Sequence, residues 1–269
     1  MFSIFKKPPV IGLALGSGGA RGLAHIGVIR SLLENDIYPG VITGSSAGAL
    51  IGGLYSAFGR LNEINKIVDS IDYRFILKLI LERPSKQGVV RGNKLESFIN
   101  EQVGSLSVEN TKIPFYAVAS DLVSGQPYVF KKGPLSIAIR ASISIPLFFS
   151  PVKLANTILV DGGASVPVPV DIARQNGADF VIGVNLYKSY FPLPHEKVDK
   201  SNISKLAFYS SQIVLNSLSQ ENNSHADFPL DLEIPIQNTL DFVKAKKFVD
   251  MGYEQTQSKI RDILKKLYK

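Results

Sequence analysis

Apolar residues in the first sixty positions fall into short continuous runs and longer stretches of helical period. The runs Val10–Leu15 and Val41–Thr43 are bounded by Pro or Gly, which is typical of buried strands. Leu23–Asn35 has apolar residues at helical spacing, and Ala47–Phe58 is a second predicted helix. Small residues recur in that second helix at positions 48, 52 and 56 and at 49, 53 and 57. We therefore expect its backbone to approach a sheet closely.

The same alternation of short apolar runs and helical stretches continues to about residue 186. The further predicted strands are Pro114–Asp121, Thr157–Val160 and Asp179–Leu186, and the further predicted helices are Val89–Val103 and Ser136–Ser144. Strands that alternate with helices predict an α/β fold with a central, mostly parallel sheet and helices on both of its faces.

The C-terminal part of the chain has a different pattern. Residues 187–202 predict a loop, residues 203–220 and 240–269 predict helices, and Leu230–Ile236 predicts a short strand between them. The predicted division is therefore an N-terminal segment, a main domain and a helical extension packed on that domain, over residues 1–9, 10–186 and 187–269.

One apolar stretch outside the predicted core has two interpretations. Phe75–Leu81, within residues 60–83, is strongly apolar at helical spacing. Packing in the core is the first interpretation, and a lid or a membrane-facing patch is the second.

Composition narrows the range of partners. The formal net charge is +7 and the pI is near 9.4, which favours anionic partners such as a phospholipid surface. No Arg-rich arm is present, so we do not expect nucleic acid. The absence of Cys excludes disulfides and thiolate metal sites, and we expect neither a metal nor a cofactor. The expected location is the cytoplasm, with peripheral membrane contact; the oligomeric state is left open.

Two glycine-rich motifs lie one strand–helix unit apart. Gly16–Gly22 follows the first strand, and Gly44–Gly48 forms a G-x-S-x-G pentapeptide after the second. A serine on a sharp strand-to-helix turn, together with free backbone N–H groups, can carry out acyl transfer. Because the carboxyl ends of parallel strands share one edge, both motifs are expected there, and together they indicate a serine hydrolase.

Phosphate-binding alternatives fit the glycine loop less well. A dinucleotide fingerprint has glycine where this chain has Arg21, and it needs an acidic residue after the second strand. The second strand instead leads into Thr43 and Gly44. No Gly-Lys-Ser/Thr follows the loop, so a P-loop is disfavoured as well.

The base that would activate Ser46 has more than one candidate. The order Ser46, Asp161 and then His195 or His225 matches that of α/β-hydrolase triads. Asp161 itself follows a predicted strand and opens an Asp-Gly-Gly turn, so it too is expected at the carboxyl edge of the sheet. A Ser–Asp dyad is therefore the other possibility. His25, on the first predicted helix, is interpreted as a packing or capping residue.

Residues 10–186 resemble the patatin-like phospholipase family, and in particular its small bacterial members. The matching stretches are Gly16–Gly22 with Arg21, Gly44–Gly48, Ala119–Leu122, Arg140–Pro146 and Asp161–Gly163. The resemblance implies a three-layer α/β/α fold and hydrolysis of phospholipids, lysophospholipids or other acyl esters. A catalytically weak regulatory protein on the same scaffold is an alternative.

The resemblance also implies roles for individual residues. Ser46 would be the nucleophile and Asp161 its base, without a histidine. The amides of Gly18 and Gly19, together with Ala47, would form the oxyanion hole, and Arg21 would brace the loop or meet an anionic headgroup. The supporting glycines would be Gly16, Gly22, Gly44, Gly48, Gly162 and Gly163. Two departures from the family pattern are Ser17, where many members have glycine, and Val166, where an asparagine is frequent.

The last predicted helix is basic as well as amphipathic. Lys244–Lys269 carries eight Lys or Arg residues against three Asp or Glu, with apolar residues near helical spacing. Packing on its own domain is the common outcome for such a helix. Contact with anionic lipid is the alternative.

Overall fold

Strand β1, at Ile11–Leu15, lies in the middle of the sheet, and all five of its residues are buried. A short run that is apolar at every position suits a strand covered on both faces. Its parallel neighbours are β2 at Val41–Ser45 and β7 at Phe180–Asn185. The first and second predicted strands are thus adjacent and parallel, so their carboxyl ends share one edge of the sheet.

The computed structural model describes residues 8–70, 90–193, 202–235 and 245–269. Within these ranges the strands are β1 Ile11–Leu15, β2 Val41–Ser45, β3 Phe115–Asp121, β4 Pro127–Phe130, β5 Val152–Leu154, β6 Thr157–Asp161, β7 Phe180–Asn185 and β8 Phe228–Asp231. The helices are α1 Ala24–Leu33, α2 Ala47–Phe58, α3 Leu61–Ser70, α4 Asn93–Val103, α5 Leu135–Ser142, α6 Val170–Gln175, α7 Ile203–Ser224, α8 Ala245–Gln257 and α9 Ile260–Leu267. Short 3-10 turns lie at Gly19–Leu23, Val108–Asn110 and Gly162–Ala164.

Helices cover both faces of the sheet, which confirms the predicted fold class. Leu13 and Leu15 of β1 belong to the larger core, on the face that α2 covers. Ala14 points to the other face, where it packs in a smaller core with Ala173 of α6. Alternation along β1 therefore supplies both cores, because successive side chains of a strand point to opposite faces.

The strand order is β5-β6-β3-β2-β1-β7-β8, and β4 also pairs with β3. The pairs from β3 through β2, β1 and β7 to β8 are parallel, whereas β6 runs antiparallel to β3. The sequence argument placed Asp161 at the carboxyl edge because it ends a strand. That reason is wrong, because the carboxyl end of an antiparallel strand points toward the opposite edge.

Register explains why Asp161 nevertheless lies beside Ser46. Ala119 of β3 pairs with Asp161 on one side, and its neighbour Val118 pairs with Ser45 on the other. Ser46 and Asp161 therefore flank β3 at the same level of the sheet. Two strand spacings separate their backbones by roughly 10 Å, which two facing side chains can bridge.

Several element boundaries differ from the sequence-based ones. β2 extends to Ser45, α1 begins at Ala24 after a 3-10 turn, and α4 begins at Asn93. α7 continues to Ser224. The predicted strand Leu230–Ile236 lies instead at Phe228–Asp231, and β4 and β5 were not predicted. Both of these strands contain exposed or half-buried residues, so they lack the apolar run that marks a central strand.

The apolar residues of the C-terminal helices are used within the domain. Phe248 of α8, and Ile260, Ile263 and Leu267 of α9, are buried. α8 packs so closely on α1 that a Cβ on Gly27 would overlap the backbone of Val249. Packing, rather than a free amphipathic face, is therefore the state of these residues in the structure. Four parts of the sequence-based predictions lie outside the described residues, namely residues 1–7, Phe75–Leu81, His195 and Lys244. The division of the chain into a main domain and a helical extension near residue 186 stays a prediction.

Candidate active site

Ser46 stands at a strained turn between β2 and α2. Its backbone has φ 54° and ψ −120°, a conformation that non-glycine residues rarely adopt. Such strain persists only where the surroundings hold it, and it is concentrated at functional sites. Gly44 and Gly48 allow the turn to close, since a Cβ on Gly44 would overlap the carbonyl of Gly48. A Cβ on Gly48 would overlap the carbonyl of Leu15, so the predicted close approach of this helix is confirmed.

The backbone amide of Ser46 is held by a residue for which the sequence analysis assigned no role. Ser142, at the end of α5, accepts a hydrogen bond from the Ser46 N–H at 2.9 Å and donates one to the carbonyl of Val118 at 2.5 Å. All three groups are buried. The hydroxyl therefore ties the serine turn to β3, and Ser142 lies within the stretch Arg140–Pro146 noted above.

Asp161 accepts a hydrogen bond from the Ser46 hydroxyl, with Oγ 2.5 Å from Oδ2. Its other oxygen, Oδ1, accepts one from the Gly163 N–H at 2.8 Å. The backbone N–H of Asp161 donates to the carbonyl of Ser144 at 3.0 Å. Each carboxylate oxygen thus accepts one hydrogen bond, Oδ1 from the Gly163 amide and Oδ2 from the serine, while the backbone of Asp161 is anchored to Ser144.

Burial sets the proton affinity of Asp161. Loss of solvation raises the pKa of its carboxyl group to about 6, against an ordinary value of 3.8. The hydrogen bonds from Ser46 and Gly163 act in the opposite direction and favour the ionised form. The carboxylate is therefore a stronger base than a solvated Asp, yet it is still ionised at neutral pH.

The glycine loop offers two backbone donors to the site. The amides of Gly16 and Ser17 are used within the fold, donating to Val184 and Pro167. The amides of Gly18 and Gly19 donate to no group among the described residues. Nε2 of His25, three residues after the loop, lies 2.7 Å from the Gly16 carbonyl, to which it donates. Burial lowers the pKa of His25 to about 4, so the ring is neutral.

The glycine loop and the start of α2 touch directly. A Cβ on Gly22 would overlap the Cβ of Ala47, so only glycine lets the two segments meet. As the first residue of α2, Ala47 has an N–H without an intrahelical acceptor. Gly16 and Gly162 likewise permit close packing, against Val184 and Val118.

Arg21 braces the loop from within the protein. Its guanidinium donates to the carbonyls of Gly18 at 3.2 Å and Leu186 at 2.7 Å. It also lies over the rings of Tyr187 and Tyr190, 4.6 and 4.9 Å from their centroids. Burial lowers the pKa of this guanidinium and raises the pKa of Tyr187 to about 12.

A cavity of about 480 Å³ opens above these groups. Of the predicted site residues, it is lined by Gly18, Gly19, Arg21, Ser46 and Asp161; Ala47 does not line it. The remainder of its wall is mainly apolar and comes from the segment after α5 and from α7. Those wall residues include Ile145, Leu147, Phe208, Val214, Leu215 and Leu218. The sequence analysis predicted α7 as a helix and assigned it no part in the site.

Ser17 contributes a hydroxyl to the same cavity. Its Oγ is buried and has no hydrogen-bond partner within the described part of the chain. A Cβ on Gly163 would lie 2.6 Å from this Oγ and 2.9 Å from Oδ1 of Asp161, so both oxygens border the same small space. Glycine at position 163 leaves that space open.

Of the two histidines that the sequence offered as bases, the structure describes only His225, and its ring contacts groups other than the dyad. His225 follows α7, and its Nδ1 lies 2.9 Å from Asp171, with Glu221 at 3.6 Å from Nε2. Those carboxylates raise the pKa of the exposed His225 ring. Among the described residues, no cluster of three or more His, Asp or Glu could hold a metal ion. No described helix has the length and apolarity needed to span a bilayer.

Comparison with known proteins identifies the family. The model of the patatin-like phospholipase family matches residues 13–174. An uncharacterised NTE family protein of Mycobacterium tuberculosis is 43% identical over 181 residues, which cover 67% of this chain and 50% of the relative. The chain thus spans about half the length of this relative. Patatin-like phospholipase domain-containing protein 7 of Rattus norvegicus is 28% identical, over 93% of this chain and 22% of its own.

A solved structure shares the fold. VipD from Legionella pneumophila superposes with a TM-score of 0.59 at 12% sequence identity, over 94% of this chain and 66% of its own. At that identity the likeness concerns the fold.

Proposed function

The chain belongs to the patatin-like phospholipase family, and from this premise we propose that it is a lipid acyl hydrolase that uses a Ser46–Asp161 dyad. The observation that carries the proposal is the hydrogen bond from the Ser46 hydroxyl to the buried Asp161 carboxylate, at the base of an apolar cavity. A serine hydroxyl needs an adjacent base to become a nucleophile, and this carboxylate is within hydrogen-bond reach of it.

In the acylation step, Ser46 Oγ forms a bond to the carbonyl carbon of the ester while its proton passes to Asp161 Oδ2. The negative charge then develops on the former carbonyl oxygen. The free amides of Gly18 and Gly19, both of which line the cavity, are the donors we assign to this oxyanion; one such donor has been worth about 3 kcal/mol elsewhere. Collapse breaks the ester C–O bond, and the proton on Asp161 moves to the leaving alcohol.

In the deacylation step, a water molecule attacks the acyl carbonyl and gives its proton to Asp161. The second tetrahedral intermediate collapses with release of the fatty acid, and the proton returns to Ser46 Oγ. The pKa of about 6 suits both halves of this cycle, because the carboxylate is ionised at pH 7 and still holds a proton briefly.

The cavity supports a substrate with an apolar acyl chain. Its wall beyond the dyad is formed mainly by aliphatic and aromatic side chains, as pockets for apolar ligands are. Phospholipids, lysophospholipids and simpler esters all fit this description. Arg21 is engaged with two backbone carbonyls and two tyrosine rings, which supports a bracing role for it rather than contact with a headgroup.

Covalent labelling tests the proposal directly. A fluorophosphonate probe should label the protein, and peptide mapping should place the adduct on Ser46. Ser46→Ala should abolish both labelling and hydrolysis of a short-chain ester. Ser56→Ala is a matched control, because that buried hydroxyl lies on α2 and has no partner among the described groups. A folded wild type that neither labels nor hydrolyses any acyl ester would instead favour a regulatory protein on this scaffold.

A further inference from the structure

Helix α7 (Ile203–Ser224) buries polar side chains and exposes three of its large apolar ones. Its fully buried side chains are all polar, namely Gln212, Ser219 and Asn223. Ile203, Ile213 and Val214 have exposed fractions of 82%, 57% and 58%. A surface helix of a globular domain normally turns its apolar residues toward the core. The outward residues of α7 therefore lack the burial that such side chains usually have.

The two sets of residues lie on opposite sides of the helix. At about 100° per residue, the three buried polar residues fall within an arc of about 40°. The three exposed apolar residues fall within about 100° on the other side. Ile203, Ile213 and Val214 therefore share one outward side of the helix and are not isolated exposed residues.

Hydrogen bonds tie the buried polar residues of α7 to the rest of the domain. Asn223 donates to Asp231 of β8 at 3.0 Å, and the Tyr187 hydroxyl donates to Gln212 at 3.4 Å. Phe208, which is half-buried, also packs edge-on against Phe148, and none of these contacts uses the side chains of Ile203, Ile213 or Val214. The outer residues are therefore available for another apolar surface.

The outer side of α7 borders the mouth of the active-site cavity. Val214 lines the cavity and is more than half exposed, and so is Leu147, which approaches from the segment after α5. Residues 206–220 contain no Asp, Glu, Lys or Arg. That stretch is about 22 Å long as a helix, enough to cover one side of the opening.

We propose that Ile203, Ile213, Val214 and Leu147 form a lipid-contact face that enters the acyl layer of a bilayer and sets the cavity mouth against it. The proposal rests on the proposed function in one respect, namely that the cavity takes a lipid. A bilayer suits this position because it delivers the substrate at the mouth, whereas a second protein copy seated there would cover the opening. Because the face is uncharged, binding should not require anionic lipid.

The binding experiment uses the full chain carrying Ser46→Ala, so that lipid is not consumed. Sedimentation with phosphatidylcholine vesicles should show binding that persists at high salt. Adding Ile203→Ser and Ile213→Ser should weaken it roughly tenfold or more, given what burial of such side chains contributes. Serine is close to isoleucine in helix propensity, so α7 should be retained. The matched control is Tyr38→Ser with Tyr268→Ser, which removes two comparably exposed residues that do not line the cavity.

Three results would overturn the proposal. One is equal vesicle binding by the isoleucine variant and the control. Another is binding only when phosphatidylglycerol is present, with loss at high salt, which would indicate the basic C-terminal helices. The third is that the protein forms a dimer which the Ile203→Ser and Ile213→Ser substitutions dissociate, while the protein binds vesicles neither with nor without these substitutions.

An activity measurement separates this proposal from the proposed function. With Ser46 intact, the Ile203→Ser, Ile213→Ser variant should hydrolyse a monomeric short-chain ester at the wild-type rate and vesicle lipid roughly tenfold more slowly. Equal loss on both substrates would contradict the lipid-contact face. Failure of the wild type on both esters would contradict the proposed function, while the binding result would still stand.

Discussion

Ser46 and Asp161 share a hydrogen bond of 2.5 Å although 115 positions separate them and the strands that carry them run in opposite directions. Both flank β3 at the level of Ala119, one from a parallel neighbour and one from an antiparallel neighbour. The antiparallel strand brings a carboxylate into the edge of the sheet from the opposite direction, and the Gly163 amide then fixes its rotation.

Asp161→Asn should lower kcat/KM for a short-chain ester by about 10²- to 10⁴-fold, because the amide cannot take the serine proton. His225→Ala should leave kcat/KM unchanged, since that ring pairs with exposed carboxylates. His195→Ala should behave in the same way. Steady-state kinetics check all three, and loss of turnover in a folded histidine variant would favour a triad.

The pH profile should follow Asp161. Because its carboxyl group must be ionised to act as a base, kcat/KM should fall tenfold per pH unit below an apparent pKa of about 6. Measurement of kcat/KM with a monomeric ester between pH 4.5 and 8 tests this. The same fall at low pH should be seen in His225→Ala. A kcat/KM that stays constant down to pH 4.5 would show that the pKa of Asp161 is close to the ordinary value of 3.8 and that burial does not control this group.

Asp161→Asn should stabilise the folded protein at neutral pH. Burial raises the pKa of this carboxyl group in the folded state, so its contribution is most favourable below 3.8 and is lost as pH rises through about 6. Two pKa units correspond to about 3 kcal/mol, an upper limit for the gain in the free energy of unfolding. Urea unfolding at pH 7.5 and pH 4 should show a gain at the first pH and little at the second.

His25 should produce the opposite dependence. Its pKa is lowered to about 4, so its contribution to stability is full above 6.5 and is lost as pH falls through 4, by about 3 kcal/mol. His25→Gln keeps a donor for the Gly16 carbonyl and does not titrate, so it should remove much of this acid sensitivity. Urea unfolding at pH 7 and pH 4.5 measures this loss. An equal loss of the free energy of unfolding in the variant and the wild type would show that His25 is not its cause.

Ser142→Ala should weaken the serine turn without touching the cavity. It leaves the Ser46 amide and the Val118 carbonyl without their buried partner, at a cost of about 1–3 kcal/mol for each unsatisfied group. We expect kcat to fall on the order of tenfold as Ser46 loses its orientation, with KM little changed. Ser56→Ala should change neither kcat nor stability, and a parallel drop there would point to general loosening of the fold.

The local chemistry of the serine turn could be predicted from the sequence. A buried strand, a G-x-S-x-G pentapeptide and a helix of small residues specify a tight turn, and α2 occupies the predicted Ala47–Phe58. The glycine loop could be predicted from the sequence as well. Gly22 must be glycine because it contacts Ala47 at the start of α2, and a single strand–helix unit separates the two residues in the chain.

The position of Asp161 was right, but the reason given for it was wrong. The sequence shows that Thr157–Asp161 is a strand, and it does not show the direction in which that strand pairs. β4 and β5 were missed for a related reason: edge strands are only partly buried, so their hydrophobic pattern is weak.

The sequence by itself determined the fold class and the serine turn, because these depend on dihedral preferences and on contacts between neighbouring elements. Only the tertiary structure decided the pKa of Asp161, the bracing of Arg21 between two tyrosines and the place of α7 over the cavity. Burial and desolvation arise from residues far apart in the chain, and a helical period alone does not tell which side of a helix such as α7 faces solvent.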